Sequence, residues 1–148
     1  MSDENFAIRD KALADQGKLN IEYTEKNMPA LMKIKQRFAK EQPFKGMVIC
    51  LALHVTKETA VLVRTLVAGG AKVAISGCNP LSTQDDVAAA LAAEGIHVYA
   101  KKGENREEYY QYINKVLDYN PNITIDDGCD LVTLLHTTRK DKLVNLIG

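Results

Sequence analysis

The chain has 148 residues, 46% of them hydrophobic and 26% charged, which is enough apolar material for one well-buried core and too much for a disordered tail. Its 19 lysines and arginines balance its 19 aspartates and glutamates, so no long-range field gathers a polyanion and nucleic acid is not an expected partner. Three cysteines, Cys50, Cys78 and Cys129, are an odd number with no C-x-x-C pair. They support neither a disulfide framework nor a zinc site and fit a reducing, cytoplasmic setting. No N-terminal segment resembles a signal peptide, and the apolar runs are strand-length, short of the roughly 20 residues that a membrane helix needs.

In chain order, the first forty-odd residues read as helical, with Leu31, Ile34 and Phe38 on one face after Pro29 and an end at Pro43. From Gly46 the pattern changes to short apolar runs, Met47 to Leu53, Lys72 to Ile75, His97 to Tyr99 and Ile123 to Ile125, which read as strands. Amphipathic stretches at about Lys57 to Ala68, Gln84 to Glu94 and Arg106 to Leu117 read as helices. A last helical segment runs from Leu131 to His136 and onward through Lys142 to Leu146, with no fifth strand after it. Apolar runs separated by helices predict a parallel sheet covered on both faces, a Rossmann-like or flavodoxin-like α/β fold of about four strands with an N-terminal helical layer. Gly69-Gly70 and Gly95 stand where helix C-caps are wanted, and Thr56, Ser82 and Thr83 where N-caps are wanted. With no repeat and no Pro/Gly/Ser linker, residues 1–148 read as a single domain.

Two strand ends concentrate the chemistry. Leu53-His54-Val55-Thr56 follows the first strand, and open α/β sheets bind ligands beyond the carboxyl ends of their strands. Thr56, Thr59 and Glu58 suit a helix start, but a titratable ring at the strand mouth is better suited to acid/base work than to core packing. Asp126-Asp127-Gly128-Cys129-Asp130 follows the fourth strand and admits a magnesium site, a phosphoacceptor pocket, an acid/base element, or a plain helix cap by Asp127 or Asp130. A receiver-type phosphoacceptor needs acids after the first strand, where His54 and Thr56 stand, and a metal lacks a convincing further ligand. Cys78-Asn79-Pro80 through Asp86 fills the second strand-to-helix loop, where Asn-Pro makes a turn and Ser82 with Asp85 resembles a capping box. Neither G-x-G-x-x-G nor G-x-x-x-x-G-K-[ST] occurs, so a nicotinamide cofactor would have to be held elsewhere.

Several long segments together resemble the N-terminal, substrate-binding part of the adenosylhomocysteinase (S-adenosylhomocysteine hydrolase) family, particularly its archaeal branch. They are Asn27-Met28-Pro29-Ala30-Leu31-Met32, Leu53 through Leu62, Gly77 through Asp85, Lys102-Gly103-Glu104 with Glu107-Glu108-Tyr109, and Asp126 through Asp130. The resemblance implies reversible hydrolysis of S-adenosylhomocysteine to adenosine and homocysteine with tightly bound NAD. In that scheme the ribose 3'-hydroxyl is oxidised, which acidifies the C4' proton; homocysteine leaves from C5', water adds, and the ketone is reduced again. Carried over by position, it makes His54 and Asp127 the acid/base groups near C5'. Thr56, Glu58 and Thr59 become substrate contacts, with Glu58 and Thr59 toward the adenine. Cys78, Asn79 and Gln84 line or support the cleft, and Asp130 braces the Asp127 turn.

The chain departs from the family pattern at Val55, Lys101, Asp86 and Cys129, where methionine, tryptophan, histidine and glycine are common. An inosyl base is the alternative substrate in archaeal relatives. The resemblance further implies a homotetramer, a nucleoside ligand, and an NAD domain and further active-site residues outside these 148 residues. This chain alone is therefore expected to bind no NAD and not to turn over. The competing reading is a stand-alone nucleoside-binding or regulatory module that has lost catalysis.

Overall fold

The protein is described by a computed structural model covering residues 5–148. Its elements run α1 (Ala14–Lys26), α2 (Pro29–Glu41), β1 (Val48–Ala52), α3 (Lys57–Ala68), β2 (Lys72–Ser76), α4 (Asp85–Ala93), β3 (His97–Tyr99), α5 (Arg106–Leu117), β4 (Ile123–Asp126) and α6 (Asp130–His136). The four strands are all parallel, in the order β3-β2-β1-β4. This is the expected parallel α/β architecture behind an N-terminal helical layer. The chain walks outward from β1 to β3 and then returns across β1 to lay down β4. That reversal puts the topological switch point between the carboxyl ends of β1 and β4, the place where open sheets of this kind take their ligands.

The period-2 alternation of each strand sorts the core into two layers. Ile49, Leu51, Val73 and Ile75 face α1, α3 and α4, meeting Ile21, Val61 and Leu91. Cys50, Ala52 and Ala74 face the other way, toward Ile113, Leu117, Leu131 and Leu135 of α5 and α6. Full burial of a side chain such as Leu51 or Ile75 contributes about 1.5–3 kcal/mol. α2 lies outside this sandwich against α3 and has no fully buried residue; of its predicted apolar face, Leu31 packs on the core, Ile34 is 37% exposed, and Phe38 meets Phe44 edge-on. Among the described residues no helix is long and apolar enough to cross a membrane.

The structure corrects the sequence reading at three places. The last helical segment is not continuous: α6 stops at His136, and a separate 3-10 segment, Lys140–Asn145, follows. The sheet has the four expected strands, with short backbone contacts beyond each edge. Ile147 and Gly148 donate to the Asn122 carbonyl and Gly148 accepts from the Thr124 amide beside β4, while Ala7 forms a parallel bridge with Tyr99 at the opposite edge. The residue at the N-cap of α4 is Gln84, not Ser82 or Thr83, because Ser82 is drawn toward His54 and Thr83 is buried. Neither Asp127 nor Asp130 caps α6; Asp126 does so, its Oδ2 accepting from the Val132 amide at 3.0 Å. The other caps agree with expectation, with Thr56 at the start of α3 and left-handed Gly70 and Gly95 beyond α3 and α4.

Candidate active site

The parallel ladders run one residue past the named strands. The Leu53 amide donates to Ser76 and the Cys78 amide to Leu53, while the Asp127 amide donates to Ala52. His54, Cys78 and Asp127 are therefore the residues at which β1, β2 and β4 let go of the sheet, side by side on its rim. Their side chains meet. His54 Nε2 lies 3.3 Å from Asp127 Oδ2, and the Cys78 thiol donates to the same Oδ2 at 3.7 Å. An imidazole and a carboxylate more than seventy residues apart in sequence thus share one point at the β1/β4 switch.

Both ring nitrogens of His54 are engaged, because Nδ1 lies 2.7 Å from Ser82 Oγ. That hydroxyl also donates to the Asn79 carbonyl at 3.1 Å, and Asn79 Oδ1 holds the Leu81 amide at 2.9 Å, an Asx-type turn around Pro80. The Asn-Pro turn read from sequence is thereby the mount of the His54 partner. Ser82, read only as a cap, orients the ring. No signal along the chain links it to His54, because the contact is made by one loop reaching over to another.

Gln84 ties the same two loops together, its backbone amide donating to Val55 and its Oε1 accepting from the Lys57 amide at 3.0 Å. Thr56 caps α3 from the other side, its Oγ1 accepting from the Thr59 amide at 3.5 Å, with Glu58 in the exposed first turn. An acid in that position complements the helix dipole, so Glu58 has a local reason to be there besides any ligand. Asp130 accepts from the Tyr109 hydroxyl at 2.7 Å, which ties the start of α6 to α5. The turn itself requires Cys129 at φ 67°, a left-handed conformation uncommon for a side chain of this kind.

The electrostatics follow the crowding of anions. The Cys78 thiol is pushed up to about 11, first by burial and then by the charge of Asp127 and the hydrogen bond to it. Burial followed by the Asp130 contact raises Tyr109 as well. Cys78 is accordingly a protonated donor to Asp127 at neutral pH rather than a nucleophile. His54 and Asp127 have side chains 46% and 57% exposed, so the pair stands on an open rim. A cavity of about 500 Å³ lies elsewhere, among α1, α2, α3 and α4, where Glu25, Lys35, Arg64 and Glu94 pair with one another.

No residue of the rim resembles a cradle for a dinucleotide. The β1–α3 turn presents His54 and Thr56 instead of glycines, and a pyrophosphate could not approach its backbone as closely as a fingerprint loop allows.

The fold and site define a class, a parallel α/β domain with an imidazole and a carboxylate in close approach at its topological switch point. Residues 5–147 match the family model for S-adenosyl-L-homocysteine hydrolase. The chain is 55% identical over 143 residues to the S-inosyl-L-homocysteine hydrolase of Methanocaldococcus jannaschii, covering 97% of this chain and 34% of that protein. It is 50% identical over 144 residues to the adenosylhomocysteinase of Pyrococcus abyssi, again 97% of this chain and 34% of the relative. With the adenosylhomocysteinase of Pyrobaculum aerophilum the identity is 57% over 129 residues, 87% of this chain and 30% of the relative. The chain belongs to the S-adenosyl-L-homocysteine hydrolase family. It spans about a third of the length of these relatives.

Proposed function

We propose that this chain is the substrate-binding part of an NAD-dependent hydrolase that converts S-adenosyl-L-homocysteine to adenosine and homocysteine. The observation that carries the reading is the 3.3 Å approach of His54 Nε2 to Asp127 Oδ2 at the β1/β4 switch. Departure of homocysteine from C5' requires a proton on sulfur, and entry of water at the same carbon requires a proton to be taken away. A single imidazole–carboxylate pair in close approach supplies the first and accepts the second, provided the ring is held still. Ser82 holds the ring, and the ladder hydrogen bonds at Leu53 and Asp127 hold the two backbones.

Bound NAD would supply the reversible oxidation at the 3' carbon. The start of α3 receives the base. Glu58 accepts a hydrogen bond from the purine edge, with Thr59 beside it and the Thr56 hydroxyl on the ribose side. Cys78, Asn79 and Gln84 shape the floor, and Asp130 sets the Asp127 turn.

Relatives named for the inosyl and the adenosyl compound both match over almost the whole chain, which makes S-inosyl-L-homocysteine the second reading. Adenine offers an exocyclic amine to a carboxylate, whereas hypoxanthine offers only its ring N1–H. Glu58 is therefore the residue at which the two readings divide.

Calorimetric titration of the chain with adenosine, inosine and S-adenosylhomocysteine tests both. Adenosine is expected to bind better than inosine, and E58A to weaken it by about tenfold, as loss of a hydrogen bond to a charged group does. Preference for inosine would select the second reading. No binding of either nucleoside at millimolar concentration would reject both, and NAD added alone is expected to give no heat.

A further inference from the structure

We propose that His54, Cys78 and Asp127 form a binding site for a thiophilic divalent cation, Zn²⁺, with Nε2, Sγ and Oδ2 as three ligands and a fourth position open to solvent. The sequence lacked a third donor because Cys78 lies on a different loop from either partner. The fold supplies it, and the three ligand atoms lie within 4.8 Å of one another.

The two edges that meet at Asp127 Oδ2 are close to those of a zinc tetrahedron. With Zn–N and Zn–O near 2.05 Å and Zn–S near 2.3 Å, the edges of a regular tetrahedron are about 3.35 Å for N···O and about 3.55 Å for S···O. The corresponding separations here are 3.3 Å and 3.7 Å, and the third edge, from Nε2 to Sγ, lies within 4.8 Å against about 3.55 Å in the tetrahedron, a difference that rotation of the exposed His54 side chain closes. The donors come from the ends of three adjacent strands whose ladders continue to the ligand residues or their immediate neighbours, which fixes the backbones before any ion arrives.

The second contact of the histidine is also in place. A ligating imidazole is normally held through its other nitrogen, and His54 Nδ1 already has Ser82 Oγ at 2.7 Å. One nitrogen, one sulfur and one carboxylate oxygen suit zinc and disfavour magnesium or calcium, which require oxygen shells. Coordination exchanges the thiol proton for the metal: the S–H bond breaks, an S–Zn bond forms, and one proton passes to solvent with no change of oxidation state. The occupied site would withdraw the Nε2 lone pair and the Asp127 oxygen from proton transfer. That consequence rests on the proposed function, whereas the coordination does not.

The test is titration of the untagged chain with Zn²⁺ without nucleoside, and with Co²⁺ as a spectroscopic substitute. One ion per chain is expected, with a near-ultraviolet thiolate-to-cobalt absorption band. Substituting residues behind a ligand costs about 10–100-fold in affinity, so H54A, C78S and D127N should each weaken Zn²⁺ by at least about tenfold. C78S should remove the cobalt band and C129S should leave both readouts intact. Far-ultraviolet circular dichroism checks the folding of each variant, and H54Q, which retains a hydrogen-bonding group toward Ser82, replaces H54A if that variant unfolds. Absence of binding below millimolar Zn²⁺, persistence of the band in C78S, or its loss in C129S would overturn the site. Nucleoside titration without metal is a separate measurement, so failure of one reading leaves the other standing.

Discussion

Glu104 shows what one side chain can contribute when the fold gives it too few partners. It is 4% exposed; Oε2 accepts from the Lys101 amide at 3.4 Å, and Oε1 is buried without a partner, as are the hydroxyls of Ser76 and Thr83. All three gather near Gly77, where an added Cβ would lie 3.3 Å from Thr83 Oγ1 and 3.4 Å from Glu104 Oε1. Burial raises the carboxyl from 4.5 to about 6, with Glu108 and Asp85 adding to the rise and Lys101 opposing it. The folded state then holds a proton that the unfolded state releases, so the contribution is fully present below about pH 4.5 and is lost as pH rises through about 6. The loss is about 2 kcal/mol. Urea denaturation from pH 4 to 7.5 should therefore show E104Q gaining on the parent chain by roughly that amount as pH rises. A constant difference across the range would mean that the carboxyl titrates normally. Residues of this kind are hard to find in a sequence. His54 and Asp127 could be matched because each follows a strand, but the isolation of Glu104 and the grip of Ser82 on His54 depend on how loops fold over one another.

Helices and strands were more legible, since each is dictated by a local period, and the failures came where tertiary contact overrode a local cue. The Leu131-to-Leu146 stretch has helical spacing throughout, yet it breaks after His136; Arg139 reaches the Asn114 carbonyl and Asp118, and the last residues turn back along β4. Gly17 is the opposite case, a residue that looks like a weak point in α1 and proves to be the reason α1 fits. A Cβ there would lie 1.8 Å from the Asp86 carbonyl oxygen and 2.4 Å from its carbon, both backbone atoms of α4. Asn20, one turn on, donates to Asp86 Oδ2 at 2.7 Å and seals the contact. Alanine in a helix interior ordinarily gains about 1 kcal/mol over glycine. Here the overlap is with main chain that no rotamer change relieves, and overpacking costs about 1–3 kcal/mol. With the overlap against main chain at the upper end of that range and the propensity gain subtracted, G17A should lower stability by up to about 2 kcal/mol in urea denaturation and reduce amide protection where α1 meets α4. A stabilised G17A would mean that α1 and α4 leave room for a methyl group at this crossing.

At the scale of the whole molecule the question is whether the two apolar layers, one on each face of the sheet, unfold together. Cys50 can report on it. The residue sits in β1, fully buried against α5 and α6, with its thiol donating to the Val116 carbonyl at 3.1 Å and pushed up to about 12 by burial. A thiol in that state is inert to alkylating reagents until the layer above it leaves. Cys129 is exposed and Cys78 is half-buried beside Asp127, so the three cysteines should label in the order Cys129, Cys78, Cys50. In a C78S/C129S double variant only Cys50 remains, and its labelling rate against urea should rise with the same slope as the global denaturation transition. The layers are joined through β1 itself, whose Ile49 and Leu51 belong to one core while Cys50 and Ala52 belong to the other. Opening one face therefore strips the strand that anchors its neighbour, and a single cooperative transition is the expected outcome. A markedly shallower slope for Cys50 would show that α5 and α6 lift away as a separate unit. Because Asp130 is held by Tyr109 of α5, that motion would carry the Asp127 turn away from His54 and dismantle the site without unfolding the remaining core.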